Sequence, residues 1–173
     1  MSDAKSAEAE GVSLCMLMVG EETFAIDTKK IREVLGAYAM QKIPLAPVYV
    51  AGVIPNRGEV LTTVSLRALL GLKERAGASA VLVLEDADEN ERFGLMVDEV
   101  SSVLKVSAET LEANPSTLGA RSRALFEGAY KLQTGLMVRL DTAKLHPSRL
   151  KSVGLFTDAA ITQEARKELE CER

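Results

Sequence analysis

Apolar residues arrive along this chain in short bursts separated by Gly, Pro, Asn and acidic side chains. The first burst, Leu14-Cys15-Met16-Leu17-Met18-Val19, is short and apolar and stops at Gly20-Glu21-Glu22, which predicts a buried strand. Phe24-Ala25-Ile26 predicts a second strand. Asp27 is placed to cap a short helix over Thr28 to Leu35, because a carboxylate there can accept bonds from the first free backbone N–H groups. Ile31, Val34 and Leu35 would share one face of that helix, and Gly36 would end it. Pro44-Leu45-Ala46-Pro47 reads as a rigid connector, since each proline holds its own φ and pushes its predecessor out of the helical region. Val48 to Ile54 and Val60 to Ser65 predict strands joined by the turn Pro55-Asn56-Arg57-Gly58, and Leu66 to Leu70 predicts a helical turn closed by Gly71.

Lys73 to Ser79 is polar and small, and after it the pattern restarts. Val81 to Leu84 and Phe93 to Val97 predict strands on either side of an acidic loop, Glu85 to Glu91. Ser107 to Gly119 reads as irregular. Glu127 to Leu140 contains a hairpin turning at Gln133-Thr134-Gly135, followed by a helical turn over Asp141 to Leu145. A weakly amphipathic helix is expected over 156–173, where Ile161, Ala165 and Leu169 recur every fourth residue.

Shifting the first half by 69 positions lays Phe24, Ile26, Ile31, Val34 and Leu35 on Phe93, Leu95, Val100, Val103 and Leu104. A shift of 76 lays Gly52, Leu61, Val64 and Leu69 on Gly128, Met137, Leu140 and Leu145. Apolar positions persist while surface residues drift. The expected fold is therefore all-β: a tail over 1–11, then two related five-stranded units over roughly 12–75 and 79–147. A unit of about 65 residues has a marginal core, so the two should pack on each other and leave a groove at their junction.

Composition agrees with a packed chain: 47% of the 173 residues are hydrophobic and 27% charged, which excludes wholesale disorder. The net charge of -4, with Lys and Arg scattered among carboxylates, argues against nucleic acid as a partner. No run reaches the ~18 apolar residues of a membrane helix. Met1 to Gly11 lacks the basic and apolar regions of a signal peptide, so a cytoplasmic protein is expected. Cys15 and Cys171 belong to no C-x-x-C pair and read as reduced thiols.

Candidates for chemistry are few. The single histidine, His146, has no nucleophile or carboxylate partner that the sequence singles out. Phosphate-cradling glycine loops and a nucleophile elbow are missing. Asp86-Ala87-Asp88-Glu89-Asn90 opens like a calcium loop but places Glu91 where glycine is needed and Val97 where a bidentate glutamate is needed, so a solvated hairpin loop is expected, and no metal or cofactor. Arg57 stands at the tip of a tight turn, where a guanidinium can donate a fork of hydrogen bonds to a carboxylate. Glu33 is the one acid on the predicted helical turn of the same half.

From about Leu14 to about Leu145 the chain resembles the CheW family of chemotaxis coupling proteins. The residues that carry this are Gly20 to Asp27, Ile31-Arg32-Glu33-Val34, Ile43-Pro44 with Pro47, Gly52 to Val60, Leu66-Arg67, and Phe93 to Val100 with Val103-Leu104. The resemblance, over 12–155, implies two SH3-like barrels with a hydrophobic groove between them, no catalytic activity, and a role in joining the cytoplasmic tip of a chemoreceptor to the regulatory domain of the histidine kinase CheA. Contact with a membrane would be indirect, through the receptors. It further implies that Arg57 and Glu33 face each other at a binding site, that Ile31, Val34, Val100 and Val103 belong to the partner-binding set, and that Gly52, Gly58, Gly94 and Gly128 shape strand turns. This chain has Pro55-Asn56 where the family has Asn-Leu before its arginine, and Ser65 where it has Asp before Leu66-Arg67. Two other readings fit the residues: the same coupling role in a chemosensory pathway without flagella, and a small-ligand domain using the groove as a pocket.

Overall fold

A computed structural model describes residues 11–36, 39–77, 79–86 and 90–153. Within them run strands β1 (Gly11–Val19), β2 (Glu22–Asp27), β3 (Ile31–Leu35), β4 (Val50–Asn56), β5 (Glu59–Ser65), β6 (Ala80–Asp86), β7 (Glu91–Val97), β8 (Glu99–Ser107), β9 (Phe126–Leu132) and β10 (Gly135–Leu140). The helices are short: α1 (Leu66–Leu69), α2 (Ala120–Leu125) and α3 (Pro147–Val153). The expected all-β class with two five-stranded, SH3-like units is the observed one. The expected terminal helix over 156–173 and most of the tail lie outside the described residues. Among those described, no helix is long and apolar enough to cross a membrane.

The strands do not sort at the expected boundary of 75–79. One sheet has the order β8-β1-β2-β10-β9 and the other β3-β6-β7-β5-β4. Each takes two strands from one repeat and three from the other. The duplication itself is real in three dimensions. The parallel pair Thr63↔Gly94 of one sheet becomes Arg139↔Ala25 of the other under the two sequence offsets. The reason for the exchange lies in the core. Leu17, Val19, Phe24 and Ile26 of one sheet and Leu82, Leu84, Phe93 and Leu95 of the other share the largest buried cluster, which fills the space between the units. Smaller clusters fill the interior of each unit: Leu14, Ala25, Tyr130 and Met137 in one, Ile54, Leu61, Val81 and Val83 in the other. Successive residues point to opposite faces of a strand. Leu14 and Met16 therefore face their own unit while Cys15, Leu17 and Val19 face the junction. That two-sided burial is why β1 and β6 read as unbroken apolar runs.

The predicted helix over Thr28 to Leu35 is a correction. Asp27 does cap, its Oδ1 accepting from the N–H of Lys29 at 2.9 Å, but only a 3₁₀ turn over Thr28–Lys30 follows. Residues Ile31–Leu35 then extend as β3 and pair with β6. A register shift between Ile31 and Glu33 sets Ile31 opposite Leu84 and Val34 opposite Leu82. A β-bulge thus places two residues three apart on one face and imitates helical spacing. The same shift recurs in β8, where Val100 lies opposite Leu17 and Val103 opposite Cys15. β8 and α2 are elements that pattern reading did not predict.

Three of the four glycines expected at turns lie inside strands. Gly52 on β4 and Gly128 on β9 run under crossing backbone, and a Cβ on either would overlap the carbonyl oxygen of Gln41 or of Glu112. Those crossing residues form matching bridges, Gln41↔Val53 and Glu112↔Ala129. Gly94 lies in β7, where a Cβ would stand 2.5 Å from Thr63 Oγ1. Only Gly58 is in a turn.

Candidate functional site

The hairpin of β4 and β5 closes at Asn56↔Glu59, with Arg57 and Gly58 as its two loop residues. Both have positive φ, 49° and 82°. This conformation matches the right-handed twist of the flanking strands, and glycine and asparagine usually supply it. Here the first of the two positions holds arginine, at a backbone cost of about 1–2 kcal/mol. The turn therefore gives up some local stability and displays a guanidinium.

Glu33 receives it. The residue lies on β3, an outer strand of its sheet, and its carboxylate accepts from Arg57 Nε at 3.3 Å, Arg57 Nη2 at 3.4 Å and Asn56 Nδ2 at 3.3 Å. These bonds hold the Glu33 carboxyl below the usual carboxylate range, Arg57 first and Asn56 second. The contact joins β3 to the hairpin of β4, the two outer strands of one sheet. Arg57 remains 74% exposed, so most of its guanidinium faces solvent. The structure thus brings together Glu33 and Arg57, and adds Asn56.

The apolar candidates fall into two matched pairs. Ile31 and Val100 are partly buried and pack on the junction cluster. Val34 and Val103 lie on the same faces of β3 and β8 but stand open, at 47% and 64% exposure. Each outer strand thus presents one anchored and one exposed β-branched side chain toward the junction of the units.

Sequence reading did not assign the partner in the most enclosed ion pair among the described residues. Arg67 on α1 meets Asp98, just after β7, at 3.0 Å and 2.9 Å, with both side chains largely buried. Asp98 also accepts from the Gly20 backbone N–H at 2.8 Å. The Arg67 bonds, then that of Gly20, hold the Asp98 carboxyl below its usual range against the opposing effect of burial. The available signal was a pair of acids, Asp98 and Glu99, between the apolar runs of β7 and β8. Ser65, the departure from the family pattern, accepts at its Oγ from the Ala68 N–H at 3.1 Å and so caps α1.

His146 is buried and satisfied. Its Nδ1 lies 2.7 Å from Ser148 Oγ, its Nε2 3.4 Å from Glu91, and its ring meets Phe93 edge-on. Burial pushes the pKa of the Cys15 thiol up from its ordinary value. Residues 87–89 of the acidic loop and Cys171 lie outside the described residues.

The model of the CheW-like domain matches residues 13–149 of this chain. The chemotaxis protein CheW of Rhizobium meliloti (strain 1021) is 28% identical over 145 residues, covering 84% of this chain and 94% of the relative. That of Treponema pallidum (strain Nichols) is 26% identical over 148 residues, covering 81% and 85%. The crystal structure of the scaffolding protein TtCheW from Thermoanaerobacter tengcongensis is similar in fold, with a TM-score of 0.68 at 22% identity, over 76% of this chain and 89% of that one. With its duplicated five-stranded sheets and a domain match running from β1 into α3, this chain belongs to the CheW-like domain family.

Proposed function

We propose that this chain is a non-catalytic cytoplasmic adaptor that couples the cytoplasmic tip of chemoreceptors to the regulatory domain of the histidine kinase CheA within a chemosensory signalling array. The observation that carries the reading is the Glu33–Arg57 pair, held on a backbone turn unfavourable for arginine yet left open to solvent. A residue kept in such a conformation with its side chain displayed fits recognition better than folding. The names of the relatives, chemotaxis proteins and a scaffold, support the same role.

Two faces divide the work. The junction face, with Ile31 and Val100 as its floor and Val34 and Val103 as its open sides, suits the apolar side of a receptor helix. The rim around Glu33 and Arg57 suits a polar partner surface that completes the hydrogen-bond fork of the guanidinium. A change in receptor position then biases the kinase through a coupling of about 1–3 kcal/mol, with no chemical step in the adaptor.

The test is binding of purified chain to a receptor cytoplasmic fragment and to the CheA regulatory domain. Arg57→Glu places like charges together and should weaken at least one of the two by about tenfold or more. The double variant Glu33→Arg with Arg57→Glu should recover part of the loss. Wild-type affinity of Arg57→Glu for both partners rejects the assignment.

A further inference from the structure

Eight large hydrophobic side chains stand exposed among the described residues, and three of them, Ile43, Val48 and Leu72, line one cleft that includes none of Ile31, Val34, Val100 and Val103. The cleft, of about 670 Å³, lies between the β3–β4 connection and the segment after α1. Leu45, on the connector that walls this cleft, is fully exposed and has a φ of 60°, a conformation leucine disfavours. The connector is braced by Pro44 and Pro47, whose fixed φ limits the positions Leu45 can take. Val50 N–H closes the turn on the Pro47 carbonyl at 2.9 Å. At full exposure the Leu45 side chain buries no apolar area.

The charges around the cleft are also unlike the rest of the molecule. Its wall carries Lys42, Arg67, Lys73 and Arg75 against Glu74 and Asp98, on a chain whose net charge is -4. Arg67 and Asp98 satisfy each other, with Arg75 at 3.7 Å from the same carboxylate. Lys42 and Lys73 make no ion pair among the described residues, and neither does Glu74, so a positive excess remains at the rim.

We propose that this cleft is a docking surface for an amphipathic helix of a protein partner whose apolar ridge is flanked by carboxylates. A strand is the poorer fit, because the outer edge of β4 is already taken: Gln41 and Val53 exchange both backbone bonds there, at 3.0 Å and 2.8 Å. A helix instead lays its ridge between the two connectors, against Val48 and Leu72. Its acids then reach Lys42 and Lys73. This surface is separate from Glu33, Arg57 and the junction valines, so it adds to the adaptor reading and does not depend on it.

The experiment is an NMR titration of the full-length ¹⁵N-labelled chain with three synthetic peptides of about 18 residues, long enough to form helix on binding. One has a Leu ridge flanked by Glu, one has Lys for every Glu, and one scrambles the first. The Glu peptide should shift the amides of Val48, Ala51, Leu72 and Met96, and should bind about tenfold or more tightly than the Lys peptide. The Lys42→Glu, Lys73→Glu double variant should invert that preference, and Leu45→Ser should weaken both, with unchanged spectra elsewhere showing that each variant folds. The proposal is overturned if no peptide binds up to about 1 mM, if the scrambled peptide does as well, or if the shifts map to Val34 and Val103.

Discussion

Asp98 accepts two bonds from Arg67 and one from the backbone of Gly20, so one carboxylate gathers α1, the β1–β2 turn and the passage from β7 into β8. β7 belongs to one sheet, and β1, β2 and β8 to the other. The ion pair therefore closes a crossing point of the duplicated fold, two residues before Val100 enters the junction face. Exposed ion pairs contribute little. This one is enclosed, so loss of one partner leaves a charge with too few bonds.

Arg67→Ala should destabilise the chain by about 3 kcal/mol, because Asp98 would keep the Gly20 bond and the more distant Arg75 but lose both bonds from the Arg67 guanidinium. Urea unfolding measures this. Its pH dependence gives a second readout. The carboxyl of Asp98 is held below its unfolded value, so its contribution is complete above that value, about 3.9, and fades as the pH falls toward the lower folded one. Wild type should lose stability below about pH 4 more steeply than Arg67→Ala.

Gly52→Ala and Gly128→Ala should each cost about 1–3 kcal/mol, since the new methyl group meets a carbonyl held in a β-bridge and cannot displace it cheaply. Gly119→Ala has nothing within 4 Å and should be close to neutral. Thermal or urea unfolding of the three variants side by side checks the contrast.

Ser65→Ala removes the cap of α1 and should cost about 1 kcal/mol. Ser65→Asp restores an acceptor at the same place and should recover most of it. A loss with Asp as large as that with Ala would show that the hydroxyl does more than cap.

Val34→Glu and Val103→Glu place a charge on open side chains, so unfolding midpoints should stay near wild type. Affinity for a receptor fragment should fall about tenfold or more, because an apolar helix face would have to desolvate the new carboxylate. Ile31→Ala should lower both stability and affinity, since Ile31 packs on the shared cluster. Unchanged receptor affinity in both Val variants would remove the junction face from the receptor site.

Much of this protein could be read from residue order, because much of it is local. Unbroken apolar runs over β1 and β6 announced strands, and Pro, Gly and Asn marked the turns. The repeat offsets were visible since equivalent positions keep the same demand for apolar side chains. Glu33 and Arg57 were recognisable as a pair by resemblance. What residue order could not show is which partner each strand chooses. Each sheet combines two strands of one repeat with three of the other, and the apolar faces of both meet in one shared cluster, which no local pattern displays. The bulges in β3 and β8 belong to that same level. They exist through pairing with β6 and β1, and without that pairing Ile31 and Val34 look like one side of a helix. The contact of Arg67 with Asp98 likewise needs a carboxylate and a guanidinium brought together across 31 positions of chain, which only the closed packing of both sheets achieves.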